Sequence, residues 1–212
     1  ISFNKRELKN RMLQFKNLSQ PDEIIAQAFN LKDKLNWKIE DARKNVKNIS
    51  DLDINIKEIL YRPFDRRYIF YHQAVIERMR HEVMRHMLED NLGLTIGRAG
   101  QVVGLEHLWN LVFISDNIID FNLYYRGGEL LFPLYIYPNK EKSNPKSGTA
   151  MTIIFEPGKL YQSRKSNIDE TFYDKLKTTY KRKPTPENIL YYIYGVFYSN
   201  IYRGNLRRVF KD

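Results

Sequence analysis

Apolar residues recur at helical spacing through the first fifty positions. Leu8, Met12 and Phe15 fall on one face. Ser19 followed by Gln-Pro-Asp predicts a helix start, with Ile24, Ile25, Ala28 and Phe29 behind it. Leu35, Ile39, Ala42 and Val46 make a third stripe, with Trp37 beside it. Three short amphipathic helices are not stable alone. They must pack on each other or on the remainder of the chain.

From residue 51 the pattern changes. Ile54, Ile56, Tyr61, Phe64, Tyr68, Phe70 and Tyr71 predict strands rich in aromatics. Pro63 cannot donate to a ladder, which puts a strand edge or bend there. Helical spacing returns from Ile76 to Glu89 through Val83, Met87 and Leu88, and Asn91 and Gly93 can end that helix. LGLTIGR, NLVFIS and ELLFPLYIYP read as three strands, with turns at Asp116-Asn117 and Gly127-Gly128. Pro138 to Gly148 is a polar loop. MTIIFEPGKL then reads as a strand with a Pro-Gly turn. Residues 168–180 read as a helix, and Thr185-Pro186-Glu187 as the start of another. ILYYIYGVFYSNIY is apolar on several sides, which predicts burial. No internal repeat is visible. The fold class is α+β: N-terminal helices, a central mixed sheet with an embedded helix, then C-terminal helices. The division is a helical connector over residues 1–52 and a second domain over 53–212. The two helical ends are expected to pack together beside the sheet.

Composition fits a folded, polyanion-binding protein. The 212 residues are 42% hydrophobic, enough for a core, and 15 Tyr with 12 Phe argue against disorder. No cysteine is present, so disulfides, zinc–cysteine sites and thiol catalysis are excluded, and a reducing compartment fits. No apolar run is long enough to span a membrane as a helix. The N-terminus has neither a starting Met nor a signal-peptide pattern, so the chain reads as a piece of a longer protein. Net charge is +10, concentrated at the ends, with +5 over residues 1–50 and +4 over 167–212. That balance favours polyanion partners.

A catalytic reading finds little support. GRAGQVVG, Gly97 to Gly104, has neither dinucleotide nor phosphate-loop spacing, so it reads as a turn or a DNA-facing loop. His81 and His86 are five apart and do not share a helical face as a metal pair would. The acid-x-lysine triplet Glu7-Leu8-Lys9 precedes Pro21-Asp22, the reverse of the usual nuclease order. No GxSxG elbow occurs, nor an NPPY-like tetrapeptide for gripping a flipped adenine. The chain alone reads as non-catalytic.

Four segments in order carry a family resemblance: YRPFDRRYIFYH at Tyr61–His72, RMRHEVMRHML at Arg78–Leu88, LVFISDNIIDF with FPLYIYP between Leu111 and Pro138, and PENILYYIYGVFYSNIYRGNLRRVF at Pro186–Phe210. Over residues 56–212 the chain resembles the C-terminal specificity region of type ISP restriction-modification enzymes and related adenine-specific DNA methyltransferases. Relatives continue through a short proline-containing tail that is not seen after Phe210. The resemblance implies that residues 53–212 form a target recognition domain for double-stranded DNA and that residues 1–52 connect it to a methyltransferase. Methyltransferase and motor domains of the same polypeptide are then its partners, in a bacterial cytoplasm and with no membrane. The resemblance implies no cofactor in this chain. S-adenosylmethionine, ATP and Mg belong to the full-length enzyme.

Recognition needs side chains that hold phosphates and others that read base edges. Base-reading candidates fall in three groups: Arg78, Arg80 and Arg85; Arg98 and Gln101; and Asn122, Tyr124 and Arg126. Arg78 and Arg85 are seven apart and would share a helix face, and internal pairing of these arginines with Glu77, Glu82 or Asp65 is the alternative. One of the adjacent Tyr124 and Tyr125 is expected in the core. Asn117, with Asp116, reads bases or caps a turn. Phosphate candidates are Arg66, Arg67, Lys175, Lys177, Lys181, Arg182, Lys183, Arg207 and Arg208, with solvated helix surface as the plainer reading. Arg62, Asp65, Arg66 and Arg67 also suit an internal ion network, and Asp65 is read as structural. Two other functions compete: an RNA or single-strand binder using the tyrosines for stacking, and an interdomain scaffold module.

Overall fold

A computed structural model describes residues 1–98, 109–124, 128–138 and 164–209, with side chains to residue 204. Three helices open the chain: α1 (Lys5–Lys16), α2 (Asp22–Phe29) and α3 (Ile39–Lys47). The Asn4 side chain caps α1 by accepting from the Arg6 and Glu7 amides. The start expected at Ser19 falls at Asp22 instead, because the Ser19 hydroxyl donates to the Asn17 side chain at 2.7 Å and caps nothing. Leu35 also leaves its expected stripe. It sits in the turn closed by the Lys34–Trp37 bridge and is 94% exposed.

Arg43 of α3 ties these helices together and is only 1% exposed. Its Nε donates to the Phe15 carbonyl at 2.9 Å, and Nη2 donates to the Asn17 and Gln20 carbonyls at 2.5 and 2.9 Å. Asp22 neutralises it. The guanidinium thus satisfies carbonyls left over where α1 ends.

Strands β1 (Ile56–Arg62) and β2 (Asp65–Phe70) form a hairpin, and β5 (Ile118–Ile119) adds to β1 in parallel, giving the order β2-β1-β5. Pro63 lies in the hairpin turn, as its missing donor requires. The main chain of Ser2 pairs with Tyr68 on the outer edge of β2. A second sheet has the order β4-β3-β6, from β3 (Gly93–Ile96), β4 (Val112–Ser115) and β6 (Leu130–Pro133), all antiparallel. Strands β7 (Tyr135–Ile136) and β8 (Lys165–Ser166) pair separately. The expected strand over 151–160 and the loop from residue 139 lie outside the described residues.

Between the sheets, the helix expected from Ile76 to Glu89 shrinks to α4 (His81–Met84) and a 3₁₀ turn (Arg85–Leu88). Arg80 has φ 49°, in the left-handed region, so a right-handed helix cannot run through it. The chain closes with α5 (Glu170–Tyr180), α6 (Pro186–Tyr198) and α7 (Asn200–Val209). Thr185 and Asn188 form a reciprocal capping box at α6, with Pro186 at its first position. The expected burial of this segment holds for one stripe only. Leu190 packs with Leu94, Val112 and Leu134, and the Tyr198 hydroxyl donates to the Val112 carbonyl at 3.0 Å. Tyr192 is 73% exposed and Ile201 77%, since a helix on one sheet covers only one of its own faces.

The N-terminal helices share a core cluster with the first sheet, from Leu8, Met12, Phe15 and Val46 to Ile56 and Phe70. Helix α6 enters a different cluster with the second sheet. Each basic end therefore packs on its own sheet.

Candidate nucleic-acid interface

The two sheets and the segment before α4 enclose a cleft of about 430 Å³. Its lining includes Ile59, Ile118 and Asp120 from the first sheet and the turn after it, and Gly128, Glu129 and Leu131 from around β6. Arg78, Arg80 and Arg98 also line it. Two sequence-predicted groups thus come together, although no helix face joins Arg78 to Arg85. The three cleft arginines are exposed and close no ion pair with a described residue. Two of the expected acids are held by other cations: Glu77 by Lys34, with Arg78 acting on it at longer range, and Asp65 by Arg67. The cleft offers cationic forks at its rim above an apolar floor.

Gly128 leaves room for Arg98. Its φ is +93°, and a Cβ there would lie 2.3 Å from the Arg98 Nε. Only glycine both adopts that backbone and leaves room for the guanidinium.

Glu129 is the unexpected cleft residue. Both carboxylate oxygens are buried and have no hydrogen-bond partner among the described residues. Burial raises its pKa above the ordinary 4.5. The main-chain amides of Glu129 and Tyr124 pull the other way without closing a hydrogen bond. The folded chain keeps this proton at pH values where the unfolded chain has lost it. The stability this contributes is present in acid and is lost as pH rises through the raised pKa. Glu129→Gln should therefore gain stability relative to the unaltered chain as pH goes from acid to neutral. Urea unfolding of both at the two pH values checks this, and a difference that does not grow would refute it.

The other candidates separate by their partners. Arg85 braces the chain after β7: its Nη1 donates to the Tyr137 carbonyl at 2.8 Å. Beside it, the buried His86 Nδ1 accepts from the Tyr137 amide at 3.0 Å, and Asn91 donates to the His86 and Tyr135 carbonyls. This histidine is structural, and burial lowers its pKa. Tyr124 is half-buried against Leu60, Ile119 and Leu123, and its neighbour Tyr125 lies outside the described residues. The Tyr124 hydroxyl meets Thr95 Oγ1 at 3.0 Å, and burial pushes its phenol pKa up. Arg67 is likewise committed internally. It grips Asp65 through Nε and Nη2 and lies over the rings of Phe3 and Tyr61, 4.1 and 4.0 Å from their centroids. Arg66 is exposed and pairs with Asp116 at 2.9 Å. Asn117 closes its turn with Ser115 and Asp116. Asn122 is exposed, and its amide donates to Asp120.

Lys175, Lys177, Lys181 and Arg182 are exposed along α5 and the turn after it. Lys183 there pairs with Glu170 at 3.3 Å and sits over the Tyr173 ring. Arg207 and Arg208 lie on α7, but their side chains are outside those described, as are Gln101 and Arg126 altogether.

Sequence reasoning missed Glu129, Asp120 and Phe121 as cleft residues. The signal for Glu129 was a carboxylate opening an apolar strand, in GGELLF.

The fold is similar to that of the ATP-dependent Type ISP restriction-modification enzyme LlaBIII bound to DNA, at 20% identity and a TM-score of 0.58, covering 96% of this chain and 12% of that one. It is also similar to a DrdV–DNA complex, at 18% identity and a TM-score of 0.54, covering 95% of this chain and 18% of that one. The chain thus spans a small part of the length of these structures. No curated protein matches it. The model of the Type ISP C-terminal specificity domain matches residues 1–208, and the chain belongs to that family.

Proposed function

We propose that this chain reads a double-stranded DNA sequence for a larger restriction-modification polypeptide and places the target adenine for flipping and N6-methylation. The observation that carries this is the cleft between the two sheets, where Arg78, Arg80 and Arg98 converge without ion-pair partners among the described residues. Arginine forks at such a rim match the paired acceptors of guanine in the major groove. The two structural relatives are DNA complexes, which supports the same partner. Lys175, Lys177, Lys181 and Arg182 supply phosphate contacts, and residues 1–52 connect to the methyltransferase. On this reading S-adenosylmethionine, ATP and Mg²⁺ act elsewhere in the polypeptide, in a bacterial cytoplasm. The apolar outer face of α6 and α7, with Tyr192 and Ile201, favours a second role in contacting those other domains.

A titration against a randomised duplex pool at two salt concentrations, followed by sequencing of what is retained, tests the reading. The expected result is one enriched asymmetric site several base pairs long. Retention that fades with salt and enriches nothing would sink it, and preference for single strands would favour the stacking alternative.

Gly128→Ala is the structural companion to that test. It should cost about 1–2 kcal/mol of stability, from an alanine held at positive φ. It should also displace Arg98 and so reproduce the binding loss of an Arg98 variant. Unfolding and binding titrations on one preparation check both, and undiminished binding would count against this placement of Arg98.

A further inference from the structure

The tip of the β1–β2 hairpin holds Pro63 and Phe64. Phe64 has φ 64°, a left-handed backbone that a bulky residue adopts only at a cost. The second central position of such a turn ordinarily takes glycine or asparagine. The residue is 88% exposed, and its ring meets only Phe113 among the described aromatics, T-shaped with centroids 4.9 Å apart. A strained backbone holding an apolar ring in water calls for a function.

The hairpin behind the tip is stiff. Arg67 is clamped by Asp65 between two aromatic rings. Arg62 lies 3.9 Å from the centroid of the Tyr61 ring and pairs with Asp120 at 2.9 Å. Arg66 and its partner Asp116 are exposed beside the tip. The same run of chain reaches the cleft, because Asp120 and the half-exposed Phe121 line it. A rigid hairpin therefore presents a bare ring beside an exposed arginine and next to the candidate reading cleft. Apolar wedges that open a base step have this chemistry: a ring to replace lost stacking and cations to hold the adjacent phosphates.

We propose that Phe64 is a wedge that inserts into a base step of the duplex, beside the base pairs met by the cleft. The inference rests on the DNA-recognition reading above. To test it, the duplex selected from the random pool carries 2-aminopurine in place of adenine, or pyrrolocytosine in place of cytosine, at one position at a time. Fluorescence is read on adding the chain. The expected result is a several-fold rise at one step with the unaltered chain. That rise should vanish with Phe64→Ala and persist with Phe64→Trp, and Phe64→Ala should keep the selected sequence preference. An exposed ring is not needed for folding, and circular dichroism of the variants checks that. If a sequence is selected but no position brightens, or the rise survives Phe64→Ala, the wedge is wrong while target recognition stands. That outcome would also be seen if the ring docks on protein. If the unaltered chain selects no duplex sequence, the recognition reading falls and the wedge with it.

Discussion

Arg98→Ala is expected to weaken binding to the selected duplex by about 1–3 kcal/mol and to relax preference at one base pair. Arg98 reaches the cleft across Gly128, and no described carboxylate pairs with it. Its loss therefore removes a cleft cation without releasing an ion-pair partner among the described residues. Lys175→Ala or Lys177→Ala should behave differently, weakening all duplexes alike and lowering the salt slope by about one unit. Affinities for cognate and scrambled duplexes at two salt concentrations separate the two behaviours. If Arg78→Ala, Arg80→Ala and Arg98→Ala each leave the cognate preference unchanged, the cleft is not the reader.

Arg43→Ala should cost about 3–5 kcal/mol of folding stability, a large share of what a domain of this size possesses. One guanidinium serves the carbonyls of Phe15, Asn17 and Gln20 and pairs with Asp22. An alanine would leave a cavity and carbonyls without donors. Arg43→Lys should recover little, because an ammonium cannot reproduce the planar fork that spans these acceptors. Urea unfolding followed through Trp37, which packs against the same core cluster, measures the loss. A change under about 1 kcal/mol would show that water replaces the guanidinium at these carbonyls.

Local rules were legible where local physics decides. The stripes of α1 and α3, the Thr185 capping box, the aromatic hairpin and the three strands of the second sheet come from spacing, turn residues and propensity. The helix expected over 76–89 failed because tertiary contacts override its periodicity. Arg85 bonds to Tyr137, His86 accepts from the same residue, and Arg80 turns the chain the other way. Arginines were found but not sorted. Arg78 and Arg98 differ from Arg67 and Arg85 only in what surrounds them, and Arg85 meets its partner 52 residues away. Glu129 escaped notice because burial of a carboxylate is a property of the assembled sheets, not of the residues beside it.

The cleft walls belong to sheets that share no strand, yet β4 of one runs into β5 of the other through Asp116 and Asn117 alone. That joint is braced internally by Ser115 and externally by Arg66. Each wall keeps its own hydrogen-bond register, while Phe113 and Leu131 of one sheet pack with Leu60 and Ile119 of the other. A larger or smaller side chain at that shared packing is therefore felt by both walls at once.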